Sequence, residues 1–253
     1  MLDGMRFATE GMMQAQNKQE IVANNLANVG NVGYRKEGLV VESFSKVMEE
    51  EAGGPAGEVT GNHQIENRGH LMNHSATFMS QGALKESGSP FDMALDDNGK
   101  GFFTVQTPSG IQFTRAGTFQ LSTSGHLVTS DGSFVMGQKG PIKIQGNDFK
   151  VSDKGVITSN GKEIDRMLIS RVEDTRALQR AGANNFATRE AHSVVATNDF
   201  KVKQGYLEQS NFNALTEMVD LMQTARQFEA NQKALQAHDQ RLQKAVNELG
   251  RVR

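Results

Sequence analysis

The chain has 253 residues and carries 27 Lys and Arg against 29 Asp and Glu, a formal net charge of -2 with no basic block, so nucleic-acid binding has no electrostatic footprint. Cysteine is absent, which excludes disulfides, thiolate metal sites and thiol catalysis. Hydrophobic residues make up 37% and aromatics 6%, a lean supply for one compact globule of this length that points to an elongated shape or to surfaces completed by other chains.

Residues 1–33 read as a helix. From Met5 the side chains fall in two rows with seven-residue spacing: Met5, Met12, Gln19 and Leu26, and Ala8, Ala15, Val22 and Val29. This is the spacing of a coiled-coil seam. No proline interrupts it, and Gly30 is where the helix should stop. About 25 residues at 1.5 Å each make a rod of roughly 37 Å. The small residues Ala8 and Ala15 would let a partner helix approach closely. The basic start and unbroken apolar stretch of a cleavable secretory signal are missing. Nor is there a run of about 18 apolar residues that would span a membrane.

Residues 34–80 read as an extended connector, charged and Gly-rich from Glu49 to Gly57. Its His63, His70 and His74 lack the His-Glu-x-x-His spacing of a zinc helix and read as solvated loop residues.

Residues 81–204 have the opposite grammar. Short β-prone runs alternate with turn signals: 102–105, 111–114, 119–121, 127–129, 134–136, 142–144, Val151, 156–158 before Asn160-Gly161, and a last long strand from Ile164 to Val172. This pattern predicts an antiparallel sheet, barrel or sandwich. Gly99-Lys100-Gly101 lacks the spacing of a phosphate loop and precedes a strand, not a helix. Asp96-Asp97-Asn98-Gly99 opens like a calcium loop, but its closing Glu is missing: position 107 is Thr. There is no Gly-x-Ser-x-Gly elbow. No catalytic, cofactor-binding or metal-binding residue is assigned, and the chain reads as a structural protein, not an enzyme.

Residues 205–253 repeat the helical design. Leu221, Phe228, Leu235, Leu242 and Leu249 stand seven apart, with Met218, Ala225, Gln232, Asp239 and Val246 as the companion row. Gly and Pro are absent from Asn213 to Leu249, and Gly250 closes the run. About 35 residues span roughly 52 Å. Gln232 and Asp239 interrupt the seam, as polar residues do where a seam encodes register. Two amphipathic helices packing on their own domain is the alternative to a polymerising seam. The fold class predicted is α+β: N- and C-terminal helices forming a coiled-coil-like axial domain, with a central, mostly antiparallel β domain.

Several motifs then stand in order. Asn24-Asn25-Leu26-Ala27-Asn28-Val29 is followed by Gly33-Tyr34-Arg35-Lys36. Gln81-Gly82-x-Leu84, Pro90 to Leu95, Gly101-Phe102-Phe103 and Phe113-Thr114-Arg115-x-Gly117 occupy the middle, and Gly205-Tyr206-Leu207-Glu208-Gln209-Ser210-Asn211 precedes the last helix. Together these resemble the bacterial flagellar rod and hook axial proteins across nearly the whole chain. Asn31 departs from that family's usual Thr, and Ala225-Arg226-Gln227-Phe228 from its commoner Gln-Arg-Ala-Tyr. The resemblance implies a subunit of the flagellar basal-body rod, exported unfolded by the flagellar type III apparatus and placed in the cell envelope. Its implied partners are further copies of itself, other rod or hook subunits and the surrounding basal-body rings, with no nucleic acid, small-molecule substrate or cofactor. A hook-type axial component and a non-flagellar surface binding module are the alternatives.

Overall fold

The computed structural model describes residues 2–43, 71–144, 149–172, 178–182, 184–188, 194–197 and 199–250. The Glu49–Gly57 stretch, His63 and His70 lie outside these, and His74 falls in a strand. Helix α1 runs Leu2–Ala27 and helix α2 runs Ala214–Gly250. At 1.5 Å per residue they are about 39 and 56 Å long. Asn213, a residue type favoured at helix N-caps, precedes α2, and Glu217 places an acid in its first turn, where the helix dipole favours it.

Contacts divide the chain into two units. The first takes the described residues of Met1–Asn25, Glu37–Ala76 and Leu215–Arg253; the second takes those of Leu26–Lys36 and Thr77–Ala214. Within 34–80, Glu37–Ser43 and Leu71–Thr77 pair as a two-stranded sheet. Beside 81–204 the second unit takes in the described residues of 26–36, 77–80 and 205–214.

The centre of the second unit is strand Gly101–Thr107. It pairs antiparallel with Gly110–Thr114, Phe134–Gly137 and Ile169–Val172 inside a 10-stranded sheet. Side chains alternate faces along a strand, so Phe103 and Val105 enter one cluster and Phe102 another. The larger cluster holds Phe103, Val105, Phe119, Leu127, Val135, Ile157 and Ile169 among its members, and Phe103 meets Phe119 edge-on at 5.1 Å. The smaller one gathers Phe102, Phe113, Val172 and Phe186. Both faces are therefore covered, and each buried Phe contributes about 1.5–3 kcal/mol.

The Asn160-Gly161 hairpin forms as its residues predict. Both positions have positive φ (52° and 72°) and join Val156–Ser159 to Lys162–Arg166. The single long strand expected from Ile164 to Val172 is corrected to two, Lys162–Arg166 and Ile169–Val172. The first pairs in a three-stranded sheet and the second in the large one; buried Met167 sits at the crossing between them. An unbroken run of β-prone residues cannot reveal that the chain changes sheets.

Candidate functional site

In the first unit the two ends of the chain lie against each other. A Cβ placed on Gly4 would come 2.9 Å from His238, one on Gly11 would come 2.7 Å from Asn231, and Asn25 donates to Glu217 Oε2 at 3.3 Å. Each step forward of seven or fourteen residues on α1 is matched by an equal step backward on α2. The helices therefore run antiparallel in one register. Ala8, Ala15 and Val22 are buried, while Met5, Met12 and Leu26 are half-buried. On α2, Leu221, Phe228, Leu235 and Leu242 are half-buried.

The companion row on α2 is mostly exposed. Met218 is 46% exposed and Val246 67% exposed, Gln232 and Asp239 are exposed, and Ala225 is half-buried. Leu249 belongs to the last turn of α2. The row that faces α1 is shifted by one residue and is polar: Glu217, Thr224, Asn231 and His238. Glycines at positions 4 and 11 leave the room these polar side chains occupy.

Asn25 shows why an amide stands in the first motif. Its Nδ2 donates to the Glu37 carbonyl at 2.8 Å and its Oδ1 accepts from the Glu37 amide at 3.0 Å. The side chain thus imitates a strand neighbour and satisfies both backbone groups of one residue.

In the second unit the two terminal motifs close on a buried charge network. Glu208, 1% exposed, accepts from Arg35 Nη1 at 2.6 Å and from Arg115 Nη1 at 3.3 Å. Arg115 Nη2 donates to Asp97 at 2.6 Å, and Asp97 also accepts from the Gly99 and Gly101 amides. Glu208 accepts from the Gly82 amide at 2.8 Å, and its carbonyl accepts from Gly33 at 2.7 Å. Two cations and two anions balance, as burial requires. Burial pushes the Arg35 guanidinium below its ordinary value; Glu208 opposes this and nearby Arg115 adds to it.

The neighbours of Glu208 make further ties. Ser210 Oγ donates to the Val29 carbonyl at 2.7 Å. Asn211 accepts from the Lys36 amide at 2.8 Å and donates to the carbonyls of Phe78 and Ser80 at 2.8 and 3.0 Å. Every polar side chain of the 207–211 motif that the resemblance singled out therefore holds residues from the N-terminal third of the chain or the entry to the β strands.

Three family models match the chain in order: flagella basal body rod protein at residues 5–35, the flagellar hook protein FlgE/F/G D1 domain at 98–159, and the flagellar basal body rod FlgEFG protein C-terminal at 203–248. The chain is 30% identical to the flagellar hook-basal body complex protein FlhO of Bacillus subtilis over 100% of both chains. The chain belongs to the flagellar basal-body rod protein family. It is also 31% identical to the flagellar basal-body rod protein FlgG of the same organism, over 98% of this chain and 99% of that one, and 27% identical to FlgF of Caulobacter vibrioides over 95% of each.

In this rod-family chain the motif residues divide between the units. Asn25 works in the helix unit; Gly33, Glu208, Ser210 and Asn211 work in the β unit. Asn24 and Ala27 are exposed on α1, Asn28 accepts from the Asn31 side chain at 2.7 Å, and Leu207 is half-buried. In the sequence Arg115 stands within a motif and Asp97 within a calcium-like opening that lacks its closing Glu, and neither pattern assigns its residue to the network. The available signal was an Arg inside a β-prone run, a position where an unpaired charge would not be tolerated.

Gly33 supports a further expectation. Its φ is +68°, and a Cβ there would lie 2.4 Å from the Arg115 carbonyl carbon. Gly33→Ala combines a left-handed conformation costing about 1–2 kcal/mol with a backbone clash that no rotamer relieves. Chemical denaturation should give a lower midpoint, with the unfolding free energy reduced by at least that amount. An unchanged midpoint would mean that the loop can rebuild without this approach.

Proposed function

We propose that this rod-family protein is a structural subunit that polymerises through its terminal helices into the axial drive shaft of the flagellar basal body, transmitting torque across the periplasm. The helix pair acts as a coiled-coil-like axial domain, with the β unit as a separate body. The observation that carries this reading is the surface of the pair: α1 leaves Phe7 and Met13 at 61% and 60% exposure, and α2 leaves Leu215, Met222 and Val246 at 69%, 54% and 67%. Large apolar side chains in such number on one helix pair are unusual for a surface meant only for water. The seam residues Met5 to Leu26 and Met218 to Leu249 named from the sequence are the proposed assembly interface.

The partners proposed are further copies of the chain, neighbouring rod or hook subunits and the rings around the rod, reached after export through the flagellar type III apparatus. A second reading, a hook-basal-body component outside the rod proper, is favoured by the full-length similarity to a protein of that description. Electron microscopy of purified full-length protein at rising concentration tests the proposal. Tubes or protofilaments of constant width are expected. A monodisperse monomer at every concentration, both alone and with rod subunits from the same cell, would sink it.

A further inference from the structure

The chain has 12 methionines and no cysteine, so thioethers are the sulfur groups it offers to a two-electron oxidant. Their burial is sharply divided. Met13 on α1 is 60% exposed, and Met218 and Met222 on α2 are 46% and 54% exposed. Met93 and Met167, both in the larger core cluster of the β unit, are 0% and 2% exposed. Helix geometry accounts for the exposed set. Successive residues turn by about 100° around a helix, so Met13 faces water while its neighbour Met12 is half-buried. Met218 and Met222 stand four apart and share one face of α2, away from buried Glu217 and Thr224.

We propose that Met13, Met218 and Met222 are the sites at which a peroxide modifies the folded chain. The sulfur lone pair attacks one oxygen of hydrogen peroxide. The S–O bond forms as the O–O bond breaks, and the second oxygen leaves as water with both protons. Sulfur is oxidised to the sulfoxide and the peroxide is reduced. The oxidant must touch the sulfur, and nearby water must relay a proton to the leaving oxygen. An exposed thioether meets both conditions and a closed core meets neither.

The sulfoxide replaces a flexible apolar tip with a polar acceptor. On the outer faces of α1 and α2 this leaves the helix packing intact and makes the surface of the pair less apolar. At Met93 the same oxygen would enter a close-packed cluster and disrupt it. The reactive sulfurs therefore stand where oxidation is tolerated, and methionine sulfoxide reductases can restore them. The inference concerns the free subunit and does not depend on the polymerisation reading.

Purified full-length protein is treated with hydrogen peroxide for increasing times, quenched, digested and mapped by mass spectrometry. Sulfoxide should accumulate at Met13, Met218 and Met222 at least about tenfold faster than at Met93 and Met167, which react only when the core opens. While those three are the modified sites, circular dichroism and the unfolding midpoint should match the untreated chain. In urea that unfolds the protein, all methionines should react at one common rate. Met93 or Met167 reacting as fast as the exposed three in the folded chain would overturn the proposal. The same order persisting in urea would also overturn it, because near neighbours in sequence would then set the rates. A triple variant, Met13→Leu, Met218→Leu and Met222→Leu, keeps the surface apolar and removes the sulfur. Its fast phase of oxygen uptake should vanish with the fold unchanged; uptake at the wild-type rate would place the reactive sulfurs elsewhere.

Discussion

Replacing Glu208 with Ala should be the most damaging single substitution in the β unit. It strands Arg35 and leaves Arg115 with Asp97 alone, both guanidinium side chains 0% exposed, beside a cavity where their shared anion stood. Removing one partner of a buried ion pair costs about 3–5 kcal/mol, a large share of a typical domain's stability. The Gly82 amide loses its acceptor too, at about 1–3 kcal/mol more if water cannot reach it. Urea denaturation followed by circular dichroism should show a midpoint collapse. Glu208→Gln should cost less, because it keeps the shape and one acceptor. Arg35→Met combined with Glu208→Ala should cost less than the two single changes added together, because the pair is in direct contact. A shift below about 1 kcal/mol for Glu208→Ala would mean that the network is not what holds the two motifs together.

The second large effect falls on assembly. Leu235 is half-buried in the middle of the α2 row, between Phe228 and Leu242. Leu235→Asp puts a carboxylate into that face at a cost of several kcal/mol where it finds no partner. In a helical polymer every subunit repeats the penalty, so tubes should be lost at concentrations where the wild type forms them. Thermal unfolding of the β unit should stay near wild type, because Leu235 belongs to the other unit. In a complemented strain, motility should disappear while the subunit is still exported. Normal assembly of this variant, or a collapse of the β unit, would show that the helix works elsewhere.

The two predictions sit on opposite sides of what sequence reading reached. The row Leu221, Phe228, Leu235, Leu242 was visible because apolar residues at a seven-residue interval are a local pattern. The row that meets α1 within the chain stands one residue before the companion row, for a physical reason. Periodicity looks for apolar side chains, and Met218, Ala225 and Val246 supply them. The neighbouring helix instead offers Gly4 and Gly11, and the space above a glycine can hold Asn231 or His238. A polar seam opposite glycine looks in sequence like a solvated face.

The motifs were recognised without their chemistry. Glu208 stands 173 residues from Arg35 and 93 from Arg115. Nothing in the neighbourhood of any of the three tells which charge it will meet. The turn residues behaved differently: Asn160-Gly161 specifies its own hairpin because both residues tolerate positive φ, and that preference acts within the turn itself.

By itself the sequence determined two helical ends, a β middle with its turns, and membership of an axial-protein family, since periodicity, turn chemistry and ordered motifs are all carried by near neighbours along the chain. Only the tertiary structure decided that the ends pair antiparallel through a polar row, that 26–36 and 205–214 join the β unit, and that Arg35, Asp97, Arg115 and Glu208 form one network. Those outcomes depend on which distant groups share a buried space. A buried charge takes the partner that the fold brings within about 3 Å, whatever its distance along the chain.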